Sequence, residues 1–106
     1  MGFKEPKQIA PFHFYTDIGN YTGISAASYK EFLTSIKNVK AKSLSFHIER
    51  GDFEKWVLEV LKDKNLAKEI GKIKNQKLRG QTLRNHLRRI ISKHHKKLAG
   101  KTHTRS

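Results

Sequence analysis

The stretch Ser43–Leu61, SLSFHIERGDFEKWVLEVL, decides the fold of this 106-residue chain. At its centre, Gly51 is a residue that readily ends a helix in the left-handed conformation, and Asp52 is a favoured N-cap. We therefore expect one helix to stop at Gly51 and the next to start with Asp52 as its N-cap. The apolar residues that follow recur at helical spacing and include the only Trp: Phe53, Trp56, Val57, Val60 and Leu61. Trp56 is the predicted anchor of the core.

The front of this stretch, residues 43–50, fits two secondary structures. Leu44, Phe46 and Ile48 alternate as in a strand, whereas Ser43 could cap a short helix. We favour the helix because the elements on both sides are helical. His47 would then face the core as a buried, hydrogen-bonded structural residue.

Upstream, the chain predicts a β-hairpin or strand-loop. Apolar and polar residues alternate over 11–16, residues 17–20 supply turn chemistry, and 21–24 form a second short segment. We interpret the aromatic residues of this region as packing rather than base-stacking groups: Phe12, Phe14, Tyr15 and Tyr21.

A helix is predicted after the hairpin. Ser28 and Glu31 have the spacing of a capping box, and the apolar periodicity that follows runs to about Asn38. At the other end of the hairpin, residues 1–10 are polar and contain Pro6, so they are predicted to be a flexible arm.

Downstream of Leu61 the apolar pattern continues through Ile70, with Asp63 or Asn65 as the N-cap of a further helix. Residues 71–80 contain two Gly and no acid and are predicted to be a connector. They lead into a helix over 81–98, with Thr82 as its N-cap and one apolar stripe: Leu83, Leu87, Ile90, Ile91, His94 and Leu98.

Ala99-Gly100 is the predicted end of this last helix, and residues 99–106 are predicted to be a disordered basic tail. The fold class is therefore mainly α. We expect a compact helical domain over 11–70, with its short N-terminal β element, and a basic amphipathic C-terminal helix attached through the connector.

Charge is distributed unevenly along the chain, whose formal net charge is +14. Residues 1–70 carry eleven Lys and Arg and nine acids, a balance of +2. Residues 71–106 carry twelve Lys and Arg and no acid, a balance of +12. A balanced body with an acid-free basic end indicates a polyanionic partner.

Several other classes of protein are disfavoured by composition. The chain has no Cys, hence no disulfide and no thiolate metal site, and no apolar run typical of a signal peptide or membrane span. We therefore expect a cytoplasmic protein with no membrane partner. A metal site is not predicted either, because the His residues of the basic third lack carboxylate or thiolate partners there: His86, His94 and His95.

Catalysis is not predicted, and neither is a cofactor. The candidate groups near Trp56 all have structural explanations, as a cap, helix-surface charges or a core histidine: His47, Glu49, Asp52 and Glu54. His13 and His47 could pair as base and acid, but nothing in the sequence orients them.

One set of residues resembles a small domain family of unknown function in archaea and bacteria. The Phe46-His47 pair followed by Asp52-Phe53 and Trp56 is the most specific part of the resemblance. It covers roughly residues 12–70 and also rests on Phe14-Tyr15-Thr16, Gly19, Thr22-Gly23, Ser28, Glu31-Phe32-Leu33, Val39, Ser43-Leu44 and Leu66-Ala67. The resemblance implies a mostly helical domain with a short N-terminal β element and implies no activity. The uniformly basic last third departs from the family, whose domains are more evenly charged there.

Nucleic-acid binding is the predicted function, through phosphate contacts rather than base readout because Lys outnumbers Arg in the basic third. We favour ribosomal RNA, with ribosomal proteins as further partners; a DNA-binding chromatin-type protein is the alternative. A small enzyme or protein-interaction module without a nucleic-acid role is the second alternative. The predicted phosphate-binding residues are Lys72, Lys74, Lys77, Arg79, Arg84, Arg88, Arg89, Lys93, His95, Lys96, Lys97, Lys101 and Arg105.

Overall fold

A two-stranded antiparallel hairpin precedes the helices in the computed structural model, which describes residues 10–102 and side chains of residues 10–96. Strands β1 (Phe12–Asp17) and β2 (Asn20–Ala26) pair with Phe12 opposite Ala26 and Tyr15 opposite Tyr21. Because successive side chains of a strand point to opposite faces, Phe12 and Phe14 both enter the core. The predicted hairpin and the mainly α fold class are confirmed.

Helix α1 (Tyr29–Asn38) begins and ends where the sequence predicts. The Ser28 hydroxyl accepts a hydrogen bond from the Glu31 N–H at 3.1 Å, and Glu31 Oε1 accepts one from the Ala27 N–H at 2.8 Å. The two side chains thus satisfy backbone donors at the start of the helix.

Helices α2 (Ala41–Arg50) and α3 (Asp52–Trp56) cover most of the stretch 43–61. Helix α3 continues as a π-helical turn (Val57–Leu61). Gly51 separates α2 from α3 with φ 74°, as predicted. The predicted caps are wrong. Ser43 is buried inside α2, which begins two residues earlier, and the Asp52 side chain binds His47 rather than a backbone N–H of its own helix.

Helix α4 (Lys64–Gln76) has Asp63 as its N-cap, whose Oδ1 accepts from the Leu66 N–H at 3.0 Å. The connector predicted for 71–80 is wrong, because α4 continues to Gln76 and buries Ile73 one turn after Ile70. Only residues 77–79 join it to the next helix, and Lys77 makes the turn with φ 54°.

Helix α5 (Gly80–Thr102) is longer than predicted at both ends. It begins at Gly80 instead of using Thr82 as N-cap, and the Arg79 carbonyl accepts from the Leu83 N–H at 3.2 Å. It also passes through Ala99-Gly100, so the first part of the predicted tail is helical. The rest of that tail, 103–106, and residues 1–9 of the predicted arm lie outside the described residues.

One core joins all these elements. Aromatic rings of the hairpin, α1 and α3 meet at its centre: Phe12, Phe14, Phe32, Phe53 and Trp56. Leu83, Leu87 and Ile91 of α5 belong to the same core, and α5 packs on α1, α2 and α4. The basic helix is therefore part of the domain rather than an appendage to residues 11–70.

No helix within residues 10–102 is both long enough and apolar enough to cross a membrane.

Candidate nucleic-acid interface

A groove of about 560 Å³ runs between α1 and the outer face of α5. Leu33 contributes apolar surface to it, and Asn85 and Ser92 contribute an amide and a hydroxyl. Of the side chains that the structure describes, the charged ones that line it are all basic: Lys37, Arg88, Arg89, Lys93 and Lys96. We call this surface the basic groove.

The helical period of α5 places its two kinds of side chain on different faces. Leu83, Leu87 and Ile91 recur at intervals of four residues and are buried in the core. The groove residues fall between them at their own helical spacing, so the same 3.6-residue period brings them together on the outer face: Asn85, Arg88, Arg89, Ser92, Lys93 and Lys96.

Arg84 holds the last turn of α1 against α5. Its Nη1 donates to the carbonyls of Ile36 at 2.9 Å, Lys37 at 3.2 Å and Val39 at 2.7 Å, and its Nε donates to Gln81 Oε1 at 3.1 Å. Those carbonyls are unpaired acceptors at a helix C-terminus, where a cation is favourable. The structure thus places this predicted phosphate ligand in an internal role, and we do not include it in the groove.

His95 holds the other end of the same helix pair. Its ring stacks on Tyr29, with centroids 6.1 Å apart and an interplanar angle of 29°. The start of α1, at Tyr29, thus contacts the later part of α5, and the end of α1 contacts the first turns of α5 through Arg84. The two helices therefore run antiparallel, and both ends of α1 are held against α5. His95 is half-buried by this contact and does not line the groove.

A polar cluster beneath α5 pairs two carboxylates, the N-cap of α4 (Asp63) and Glu69 within α4, with hydrogen-bonding side chains. The Tyr29 hydroxyl donates to Asp63. The buried His94 lies between Asp63, 3.5 Å from its Nδ1, and Glu69, 3.0 Å from its Nε2. Lys93 Nζ reaches the second oxygen of Glu69 at 3.4 Å. His94, predicted only as part of the apolar stripe, is therefore an internal partner of two carboxylates.

The acids of this cluster stay ionised. The hydrogen bond with His94 lowers the pKa of Glu69, with Lys93 adding to the effect. Burial alone would raise the pKa of Asp63, but the hydrogen bonds from Tyr29 and the Leu66 N–H outweigh it and lower that pKa. Burial and the bond to Asp63 together raise the pKa of the Tyr29 hydroxyl. Both carboxylates have partners within the fold and neither lines the basic groove.

The predicted phosphate-binding residues of α4 and of the turn after it are separate from the groove. Lys74, Lys77 and Arg79 line a smaller depression of about 260 Å³ at the turn between α4 and α5, together with the acid Glu49. Lys72 is exposed on α4 and lines neither site. The side chains of Lys97 and Lys101, and all of Arg105, lie outside the described part of the chain.

Lys37 was missing from the predicted set. The sequence shows only that it falls off the apolar face of α1, and no local pattern indicates that this face will lie beside α5. No local pattern indicates that Leu33, Asn85 and Ser92 line the groove either, because helix packing and not a sequence motif brings them together.

His47 has both ring nitrogens occupied. Nε2 accepts from the Tyr15 N–H at 2.8 Å, so the proton is on Nδ1, which donates to Asp52 Oδ2 at 2.8 Å. Arg50 Nε donates to the same oxygen at 3.1 Å. Burial lowers the pKa of His47, which keeps the imidazole neutral. His13 bonds Ser25 Oγ at 2.6 Å rather than His47. The geometry is that of the predicted structural histidine.

A second groove, of about 530 Å³, lies beside His47 between the hairpin, α2 and α3. Its walls include the aromatic rings of Tyr15, Phe46 and Trp56, and the Trp56 indole donates to the Ala10 carbonyl at 2.8 Å. Its charged rim holds two basic residues and two acids: Arg50, Lys55, Asp52 and Glu59. This mixed charge makes it a poorer site for a polyanion than the basic groove.

Within the described residues, no group of three or more His, Asp or Glu side chains is placed to hold a metal ion.

Comparison with known proteins adds no relative: no protein-family model, no curated protein and no solved structure matches the chain significantly. The resemblance to a domain family of unknown function stays a prediction.

Proposed function

We propose that this protein binds nucleic acid, with RNA as the favoured partner, by placing phosphates in the basic groove. The observation that carries the proposal is that, among residues 10–96, five basic side chains and no acid line the groove. Four of them, Lys37, Arg88, Arg89 and Lys96, form no salt bridge to any residue that the structure describes. They are available to neutralise phosphates and release counterions, which is the main source of non-specific affinity.

RNA is favoured because the groove offers groups that can contact a ribose as well as a phosphate. The Asn85 amide and the Ser92 hydroxyl lie among the cations and can hydrogen-bond to a 2′-hydroxyl, the group that distinguishes RNA from DNA. Ribosomal RNA, with ribosomal proteins as neighbours, is the RNA we favour for so small and basic a chain. DNA binding through the same cations is the alternative.

The test compares two double variants of equal net charge. Arg88→Glu with Arg89→Glu reverses two groove cations, and Lys64→Glu with Lys68→Glu reverses two exposed cations of α4 that do not line the groove. Binding of a fluorescently labelled RNA is followed by anisotropy. We expect the groove variant to lose at least about tenfold in affinity, because phosphate contacts become repulsions, and the α4 variant to lose much less.

Equal losses in the two variants would show that only net charge matters, and the groove would then not be the site. Substitutions are needed because deleting residues 72–106 would take Ile73, Leu83, Leu87 and Ile91 out of the core. A truncated chain would lose binding by unfolding.

A further inference from the structure

We propose that the second groove, beside His47, is the contact surface between two copies of this chain. It lies between the hairpin, α2 and α3, away from the basic residues of α5 that line the basic groove. Dimerisation here goes beyond nucleic-acid binding and does not depend on it. Three features support it: an exposed apolar side chain at the hairpin turn, two unpaired rim charges of opposite sign, and the net charge of the chain.

Ile18 is an exposed apolar residue at a position where turns favour other residue types. It forms, with Gly19, the two-residue turn between β1 and β2, and both residues line the second groove. Ile18 is 77% exposed, more than any other large hydrophobic residue within 10–96. Turn chemistry favours Gly, Pro, Asn, Asp and Ser, so it does not account for an Ile. Because Ile18 lines the same groove as Tyr15 and Phe46, it belongs to an apolar patch of the kind that marks protein–protein contacts.

The turn and the groove place a protruding apolar side chain beside a hollow. A two-fold symmetric contact uses the same patch on both copies, so that residue i meets residue j and j meets i. A two-fold axis at the edge of the groove places Ile18 of each copy over the aromatic lining of the other copy's groove, at Tyr15 and Phe46. One contact then covers both exposed apolar patches.

The rim of the groove carries one unpaired cation and one unpaired acid. Lys55 and Glu59 are exposed, and neither forms a salt bridge with any residue that the structure describes. The other two rim charges, Arg50 and Asp52, are paired with each other at 3.1 Å. Two-fold symmetry can bring Lys55 of each copy to Glu59 of the other. A surface with one free charge of each sign is therefore complementary to itself.

Net charge also favours this face for self-association. The chain carries a formal charge of +14, so two copies repel each other wherever both present cations. The rim of the second groove has two basic residues and two acids and is neutral. A second copy can approach here without like-charge repulsion, whereas a polyanion is attracted to the basic groove.

Sedimentation equilibrium of the full chain tests for the dimer at protein concentrations up to about 1 mM, in about 0.15 M salt. We expect a monomer–dimer equilibrium that Ile18→Asp weakens at least about tenfold, because contact with the other copy would remove the new carboxylate from water. Leu58→Asp is the matched control, since Leu58 is 45% exposed and does not line the groove. It should leave the dimer intact. Far-ultraviolet circular dichroism verifies that both variants are folded.

Charge reversal on the rim tests whether the occupant is a second copy. Lys55→Glu alone and Glu59→Lys alone each place like charges opposite one another across a two-fold contact, so each variant should dimerise about tenfold more weakly than the wild type. An equimolar mixture of the two variants should dimerise about as well as the wild type. In the mixed dimer, each reversed rim again faces rim residues of opposite charge.

Three results would overturn the inference. The first is a chain that stays monomeric up to about 1 mM, which would leave the groove to a different partner or to none. The second is an Ile18→Asp variant that dimerises like the wild type. The third is a mixture of the two charge variants that associates no better than either alone. RNA binding by the basic groove is measured separately, so the proposed function stands in each case.

Discussion

Replacing Arg84 with Ala should destabilise the fold, although sequence alone places this residue among the phosphate ligands. The guanidinium donates to three carbonyls at the end of α1, those of Ile36, Lys37 and Val39. Val39 is buried and belongs to the core, so this end of α1 cannot simply turn toward water when the guanidinium is removed.

The expected loss follows from these contacts. A hydrogen bond that involves a charged group contributes about 1.5–3 kcal/mol, and a cation near a helix C-terminus contributes about 0.3–1 kcal/mol. The three carbonyls share one nitrogen with two hydrogens, so their contributions do not add fully. We expect the Arg84→Ala variant to lose about 2–3 kcal/mol of unfolding free energy.

Urea unfolding followed by fluorescence of the buried Trp56 measures this loss. Arg88→Ala is the matched control: it removes the same side chain one turn further along α5, where it is exposed and forms no salt bridge within residues 10–96. That control should stay within about 0.5 kcal/mol of the wild type. Equal stability of the two variants would refute the internal role of Arg84.

Two further predictions concern the stability of the fold. Burial holds the pKa of His47 below its ordinary 6.5, so the unfolded chain binds a proton there more readily than the folded chain does. The free energy of unfolding should therefore fall as pH drops below 6.5. A His47→Gln variant should lose this part of the pH dependence, which urea titrations at several pH values measure. An unchanged pH dependence would mean that His47 is not the group responsible. Gly51→Ala should cost about 1 kcal/mol because φ is 74° there, whereas Gly71→Ala, in the interior of α4, should be neutral or stabilising, since its added methyl group meets only the end of the flexible Glu54 side chain. Thermal unfolding of both variants checks the pair, and similar melting temperatures would contradict the left-handed turn at Gly51.

Patterns that act within one element predict the fold best. The capping residues Ser28 and Glu31 locate the start of α1, the alternation of Phe12 and Phe14 identifies β1, and Gly51 separates α2 from α3. Each of these signals depends on backbone chemistry over a few residues, so no knowledge of the tertiary structure is required.

The failures arise where packing overrides local composition. Residues 71–76 contain a Gly and several polar residues, yet they stay helical because Ile73 continues the buried face of α4. Separately, α5 continues through Ala99-Gly100, where the sequence predicted its end. The intrinsic preference of Gly against a helix is only about 1 kcal/mol, which a continuing helix can offset.

The sequence predicted only part of the lining of the basic groove. Net charge identified the last third of the chain, and α5 does supply four of the five groove cations: Arg88, Arg89, Lys93 and Lys96. Sequence could not show that Lys37 joins them, nor that Arg84 and His95 bind α1 instead. Those assignments depend on which helix lies beside α5.

The dependence of affinity on salt tests most directly whether phosphates bind in the basic groove. With a single-stranded RNA probe, contacts by the four groove cations that form no salt bridge predict that log K falls with log salt concentration with a slope of about −2.8, and Arg88→Ala should reduce its magnitude by about 0.7. Lys74→Ala, at the turn outside the groove, should leave the slope unchanged. A slope near zero, or one that responds to Lys74 and not to Arg88, would contradict the account.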